Sequence, residues 1–123
     1  MKRLLPVFVV ALLATAQSSC AADCYLMATF RGNGEDGLHL QWSTNAYHWQ
    51  TLADDRSFLT PTVGESGLMR DPCLVQDPDG AFHLVWTTSW TGKTIGDASS
   101  KDLLNWTEPV ALPVMADVPN TKL

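Results

Sequence analysis

The sequence predicts an all-β fold, and three features point to it. Beyond residue 22 the apolar runs are short and alternate with polar residues. They favour Val, Leu, Phe, Trp and Thr, which suit a pleated, half-buried surface. Turn residues separate these runs, most clearly at Asp77-Pro78-Asp79-Gly80. There Pro78 presets φ, Gly80 tolerates positive φ, and the Asp side chains can accept from nearby backbone N–H groups. The third feature is a repeat. Tyr25 and Phe82, Met27 and Leu84, Leu38 and Ile95, Ser43 and Ser100, Asn45 and Asp102, and Trp49 and Trp106 are each separated by 57 residues.

Each copy reads strand, polar loop, strand, Ser-x-(Asn/Asp)-x-x-x-Trp, strand. A period of this length built from short strands suggests β-propeller blades. In the turn, Asn45 or Asp102 can close an Asx-type bond while the Trp packs between sheets. Two similar hairpin pairs in an unrelated β domain are the plainer alternative; the constant offset favours blades.

Taken in order, the chain begins with Met1-Lys2-Arg3, an apolar run from Leu4 to Leu13, and Ala14-Thr15-Ala16. A basic start, a short apolar core and a small-x-small site make a secretory signal peptide, too short to span a bilayer. Cleavage is expected after residue 16 or 22. Lipidation at Cys20 is the less favoured alternative, since Gln17 stands where such signals carry Leu. A first blade follows, with strands near Tyr25, Leu38 and Trp49 and a Gly/Asn/Asp-rich loop over Arg31–Gly37. Ala53 to Leu68 reads as loop. A second blade is expected to use Cys73–Gln76, Phe82–Ser89, Thr94–Ser99 and Trp106–Leu112. Two blades cannot close a ring. Residues 23–123 are therefore expected to be the N-terminal part of a longer propeller, with residues 117–123 entering a third blade.

Composition narrows the function. Loss of Lys2 and Arg3 leaves six of the eight basic residues against 13 acidic ones, a charge of −7. That disfavours nucleic acid and anionic membranes, which need clustered Lys and Arg. Cleavage after Ala22 would leave Cys24 and Cys73, either as one disulfide or as two strand thiols. His39, His48 and His83 are scattered, without zinc-site spacing.

Arg70-Asp71-Pro72, the Phe82-to-Trp90 run, and Ser99-Ser100-Lys101-Asp102-Leu103-Leu104-Asn105-Trp106 together resemble glycoside hydrolase family 43. Tyr25–Phe30 and Glu65–Pro72 are similar to its arabinosidase-like members. The resemblance implies a five-bladed β-propeller. It implies a secreted, periplasmic or cell-surface enzyme that cleaves arabinose-, xylose- or galactose-containing plant polysaccharides or oligosaccharides with inversion. Asp71, at the start of an innermost strand, would be the general base. The bland reading is a turn-capping Asp ahead of Pro72. Arg70 would keep that carboxylate ionised or shape the site, and Trp90 would line it. Trp42, Trp49, Trp86 and Trp106 are expected in the core.

The family also needs an acid Glu and a pKa-tuning Asp. Neither Glu65 nor Glu108 sits in a matching motif, so this piece alone is expected to be inactive. No cofactor is identifiable; a structural Ca²⁺ would be possible in the full-length form. The alternatives are a non-catalytic carbohydrate-binding surface propeller and a small independent β domain.

Overall fold

The computed structural model describes residues 23–114 and residue 117. The expected signal peptide, and all of the expected third-blade entry but residue 117, lie outside these residues. The described chain is all-β, in two antiparallel sheets. The first has three strands in the order β1 (Tyr25–Thr29), β2 (His39–Ser43) and β3 (Gln50–Thr51). The second has four, β4 (Arg70–Gln76), β5 (Phe82–Thr87), β6 (Thr94–Ser100) and β7 (Val110–Pro113). These are two successive blades of a partial β-propeller.

The repeat holds at the level of register. Tyr25 lies opposite Ser43, and Phe82 lies opposite Ser100. The two Ser-to-Trp turns share their hydrogen bonds as well. Ser43 Oγ accepts from the N–H groups of Asn45 and Ala46, and Ser100 Oγ from those of Asp102 and Leu103. Asn45 Oδ1 accepts from Tyr47 and His48, and Asp102 Oδ1 from Leu104 and Asn105. Trp49 Nε1 donates to Ala46 O and Trp106 Nε1 to Leu103 O, both at 3.1 Å. Ala46 and Leu103 take φ of 60° and 65°, held there by these bonds.

Because side chains alternate across a strand, register also tells which faces meet. Leu26, Ala28 and Leu40 of the first sheet pack against the core of Leu84, Trp86 and Ala98 in the second. Moved on by 57 residues, the first set falls on His83, Val85 and Asp97, which occupy the opposite face of the second sheet. Non-equivalent faces are in contact, so the stacking is head-to-tail and leaves a face open at either end. Val75, Val110 and Leu112, at 57%, 50% and 39% exposure, lie on one of those open faces.

In the second sheet two strand starts differ from expectation, and β5 ends at Thr87 rather than Ser89. β4 begins at Arg70, three residues early, because Arg70 already pairs with Thr87 before a bulge that ends at Cys73. Pro72, which has no N–H to give a ladder, sits inside that bulge. On the outer edge, Trp106 makes only an isolated bridge to Ser100, and the strand proper starts at Val110. Pro109 interrupts the run between them. Cys24 and Cys73 are both free and exposed. Trp86 is buried, while Trp42, Trp49 and Trp106 are partly covered.

Candidate functional site

Three segments converge at one end of the two sheets: the β1–β2 loop, the start of β4 and the β5–β6 loop. The β5–β6 loop is tethered by Glu65. Its carboxylate accepts from Thr88 Oγ1 at 3.1 Å, Thr94 Oγ1 at 2.6 Å and the Lys93 N–H at 2.8 Å. These donors, led by Thr94, hold Glu65 ionised down to about 2, well below a normal carboxyl. A group so fixed in its charged form is unsuited to giving up a proton near neutrality. Glu65 is therefore a brace for the loop that carries Trp90.

The β1–β2 loop is tied down at both ends. Arg31 donates from Nε and Nη2 to Asp55, and Gly34 N–H closes a turn onto Arg31 O at 2.8 Å. Met69 N–H donates to Gly34 O at 2.8 Å, which docks the loop tip just ahead of Arg70. Gly34 has φ of +92°, and a Cβ there would run into the Met69 carbonyl, so glycine is required. Asp55 lies in a single turn at Ala53–Asp55 whose three residues have φ of 50°, 55° and 61°. It also faces His39 Nδ1 at 3.2 Å, and Asp36 faces His39 Nε2 at 2.9 Å.

Of the expected residues, the structure brings Arg70 and Trp90 together. Arg70 does not lie against Asp71. Its guanidinium stacks over the Trp90 ring, 3.7 Å from the centroid, with Phe30 further off at 5.4 Å. Arg70 Nη1 donates to Asn33 Oδ1 at 2.7 Å, and Trp90 Nε1 donates to the same oxygen at 3.1 Å. Among the described residues no carboxylate pairs with Arg70. The bulge at Asp71, with φ of +48°, breaks the strand register directly after Arg70, so the two side chains are not set by the regular pleat. Trp90 is 64% exposed, so it is not a core residue.

Asp71 is exposed and lies in the bulge with φ of +48°. A non-glycine residue in the left-handed region costs on the order of 1 kcal/mol or more, and such residues gather at functional sites. Bulges likewise re-aim side chains next to active sites.

Asn33, Phe30 and Glu65 were not singled out by sequence as site residues. For Asn33 a signal existed: it stands 57 residues before Trp90, the repeat distance, so the two occupy corresponding inter-strand loops. Among the described residues no group of three His, Cys, Asp or Glu side chains converges as a metal site. No helix among them is long and apolar enough to cross a membrane.

Arg70, Trp90 and Asn33 thus form an aromatic–cation platform at one end of the two sheets, and the bulge that holds the exposed Asp71 lies at that same end. The family comparison supplies the class of domain. A glycoside hydrolase family 43-related model, described as a probable glycosyl hydrolase domain, matches residues 21–121, and the chain belongs to that family. No curated protein and no solved structure matches.

Proposed function

We propose that this chain carries the general base of a secreted, inverting glycosidase acting on arabinose-, xylose- or galactose-containing polysaccharides. The observation that carries the reading is Asp71 itself: a non-glycine residue at φ +48° in the bulge of β4, exposed, within the stretch that bears Arg70. In this mechanism Asp71 takes a proton from a water molecule as that water attacks the anomeric carbon. A second carboxylic acid on another blade protonates the departing glycosidic oxygen. Trp90 supplies an apolar ring face to the sugar's C–H groups. Since Arg70 covers one face of the indole, the sugar takes the other face or the ring edge.

Replacement of Asp71 by Asn tests the assignment. Asn tolerates a left-handed backbone, so the fold should survive. Hydrolysis of arabinan and xylan should fall roughly 100- to 10,000-fold, the usual contribution of a positioned proton acceptor. Retention of more than half the parent rate would remove Asp71 from the mechanism. The non-catalytic binding alternative draws support from the exposed Trp90. It would be favoured if the parent protein, expressed from its complete reading frame, bound these polysaccharides without cleaving them.

A further inference from the structure

We propose that Asn33 is a ligand-binding residue of the Asp71 site, donating from its carboxamide nitrogen to sugar oxygens while its carboxamide oxygen sets Arg70 and Trp90. The proposal rests on the reading of that site as saccharide-binding. It goes beyond that reading by assigning a residue that arrives from the neighbouring sheet.

The carboxamide orientation is fixed by its neighbours. Oδ1 accepts from Arg70 Nη1 at 2.7 Å and from Trp90 Nε1 at 3.1 Å, which occupies both of its lone pairs. A flipped amide would set N–H groups against two donors, so only one orientation is satisfied. Nδ2 then carries two donors that meet no partner among the described residues. It is not closed off from solvent, because Trp86 Nε1 is the one unpartnered side-chain nitrogen or oxygen buried among them. Two oriented, unspent donors therefore stand at the surface beside an exposed indole.

The backbone beneath Asn33 is equally constrained. Its own N–H donates to Glu35 Oε2 at 3.0 Å, and the next residue docks on Met69. Preorganised donors of this kind bind without much ordering cost. They also match their surroundings. Arg70, bonded to the same carboxamide, offers further N–H donors beside them. Sugar hydroxyl oxygens, which accept, fit such a donor-rich edge.

Positioning alone would use only Oδ1, and two variants separate that role from donation. Asn33→Asp keeps an oxygen acceptor for Arg70 and Trp90 but has no N–H. Asn33→Ala loses both functions. Each should be titrated calorimetrically with arabinotriose and xylotriose, using the protein expressed from its complete reading frame, with tryptophan emission as the check on Trp90. The expected result is at least a tenfold loss of affinity in both variants. Trp emission should stay as in the parent for Asn33→Asp and shift for Asn33→Ala. Affinity within twofold of the parent in Asn33→Asp overturns the proposal, whatever the alanine variant does. So does an unchanged alanine variant. A parent protein that binds neither sugar fails the saccharide reading itself, which is a different result from a parent that binds and an aspartate variant that binds equally well.

Discussion

The two sheets share a turn down to individual hydrogen bonds, yet they differ at every position that bears on chemistry. In the first sheet, Thr29 and His39 stand opposite each other at the end of the β1–β2 ladder. His39 is buried between Asp36 and Asp55. In the second sheet the corresponding pair is Trp86 and Gly96, an indole laid over a residue without a side chain. At this position one copy has a histidine hydrogen-bonded between two carboxylates and the other has an indole packed on glycine. The second also has β4, with its bulge and Asp71, for which the first has no counterpart among the described residues. The repeat supplies a common frame, and the departures from it mark where the frame was put to use.

The largest effect should come from the element present in one sheet alone. Asp71→Asn is expected to remove activity by roughly two to four orders of magnitude. Its urea-unfolding midpoint should match the parent's, because the side chain is exposed and Asn accepts φ of +48°. A shifted midpoint would turn the bulge from a functional device into a structural one.

Next comes the packed end of the second sheet. A Cβ at Gly96 would press directly on the Trp86 indole, and Gly96 has an ordinary φ, so only space is at issue. Gly96→Ala should cost about 1–3 kcal/mol through overpacking. Thermal unfolding should show it as a drop of several degrees. An unchanged melting temperature would mean that the indole moves freely and that Gly96 is not a packing requirement.

The shared turn gives a smaller effect and a sharper comparison. Ser43 and Ser100 are both buried, and each oxygen accepts two backbone N–H groups. Ser43→Ala and Ser100→Ala should each cost about 1–2 kcal/mol by stranding those donors. Each hydroxyl also donates, Ser43 to Asn45 Oδ1 at 3.2 Å and Ser100 to Asn105 O at 2.7 Å, and the shorter bond should make the second cost slightly more. Costs differing by more than about threefold between the two would show that the turns are alike in geometry but not in energetics.

The parts of this molecule that were legible in sequence are those set by local pattern. Alternation placed the strands, Asp-Pro-Asp-Gly placed the β4–β5 hairpin, and the Ser-x-Asx-x-x-x-Trp spacing placed the turn. Within the hairpin, Gly80 takes φ of +89° and Asp79 Oδ1 accepts from Ala81 N–H, as the turn chemistry requires. Asp71 and Trp90 could be put forward from sequence, because each sits at a boundary of a recognisable run. Asn33 was not, because its partners lie 37 and 57 residues away on the other sheet. Nothing in Arg31–Gly37 by itself distinguishes an oriented Asn from an ordinary loop residue. Arg70 was drawn to Asp71 by adjacency in sequence. The structure partners Arg70 with the Trp90 indole and Asn33 instead, while Asp71 lies in the bulge where the strand register is broken.

The smallest expected effect is also the cleanest separation of the two copies. Asn45 and Asp102 fill the same place, but only Asp102 can take up a proton. The backbone N–H of Asn105, then the Asn105 side-chain amide and the Leu104 N–H, hold its carboxyl well below the usual 3.8. As pH falls, the unfolded chain therefore binds the proton first. The stabilisation from this turn is complete above about pH 5 and is lost as pH drops through 3.8 toward the lower folded-state value. Asp102→Asn makes the second turn a copy of the first. It also sets an amide against Asn105 Nδ2, which now donates to Asp102 Oδ2 at 2.8 Å. At pH 6 the variant should unfold at slightly lower urea than the parent. By pH 3 the gap should narrow, because the parent's carboxylate is losing its advantage. Glu65 and Asp55 titrate alike in both proteins, so the difference isolates Asp102. A gap that stays constant from pH 6 to pH 3 would mean that the charge contributes nothing beyond what Asn45 already provides in the first turn.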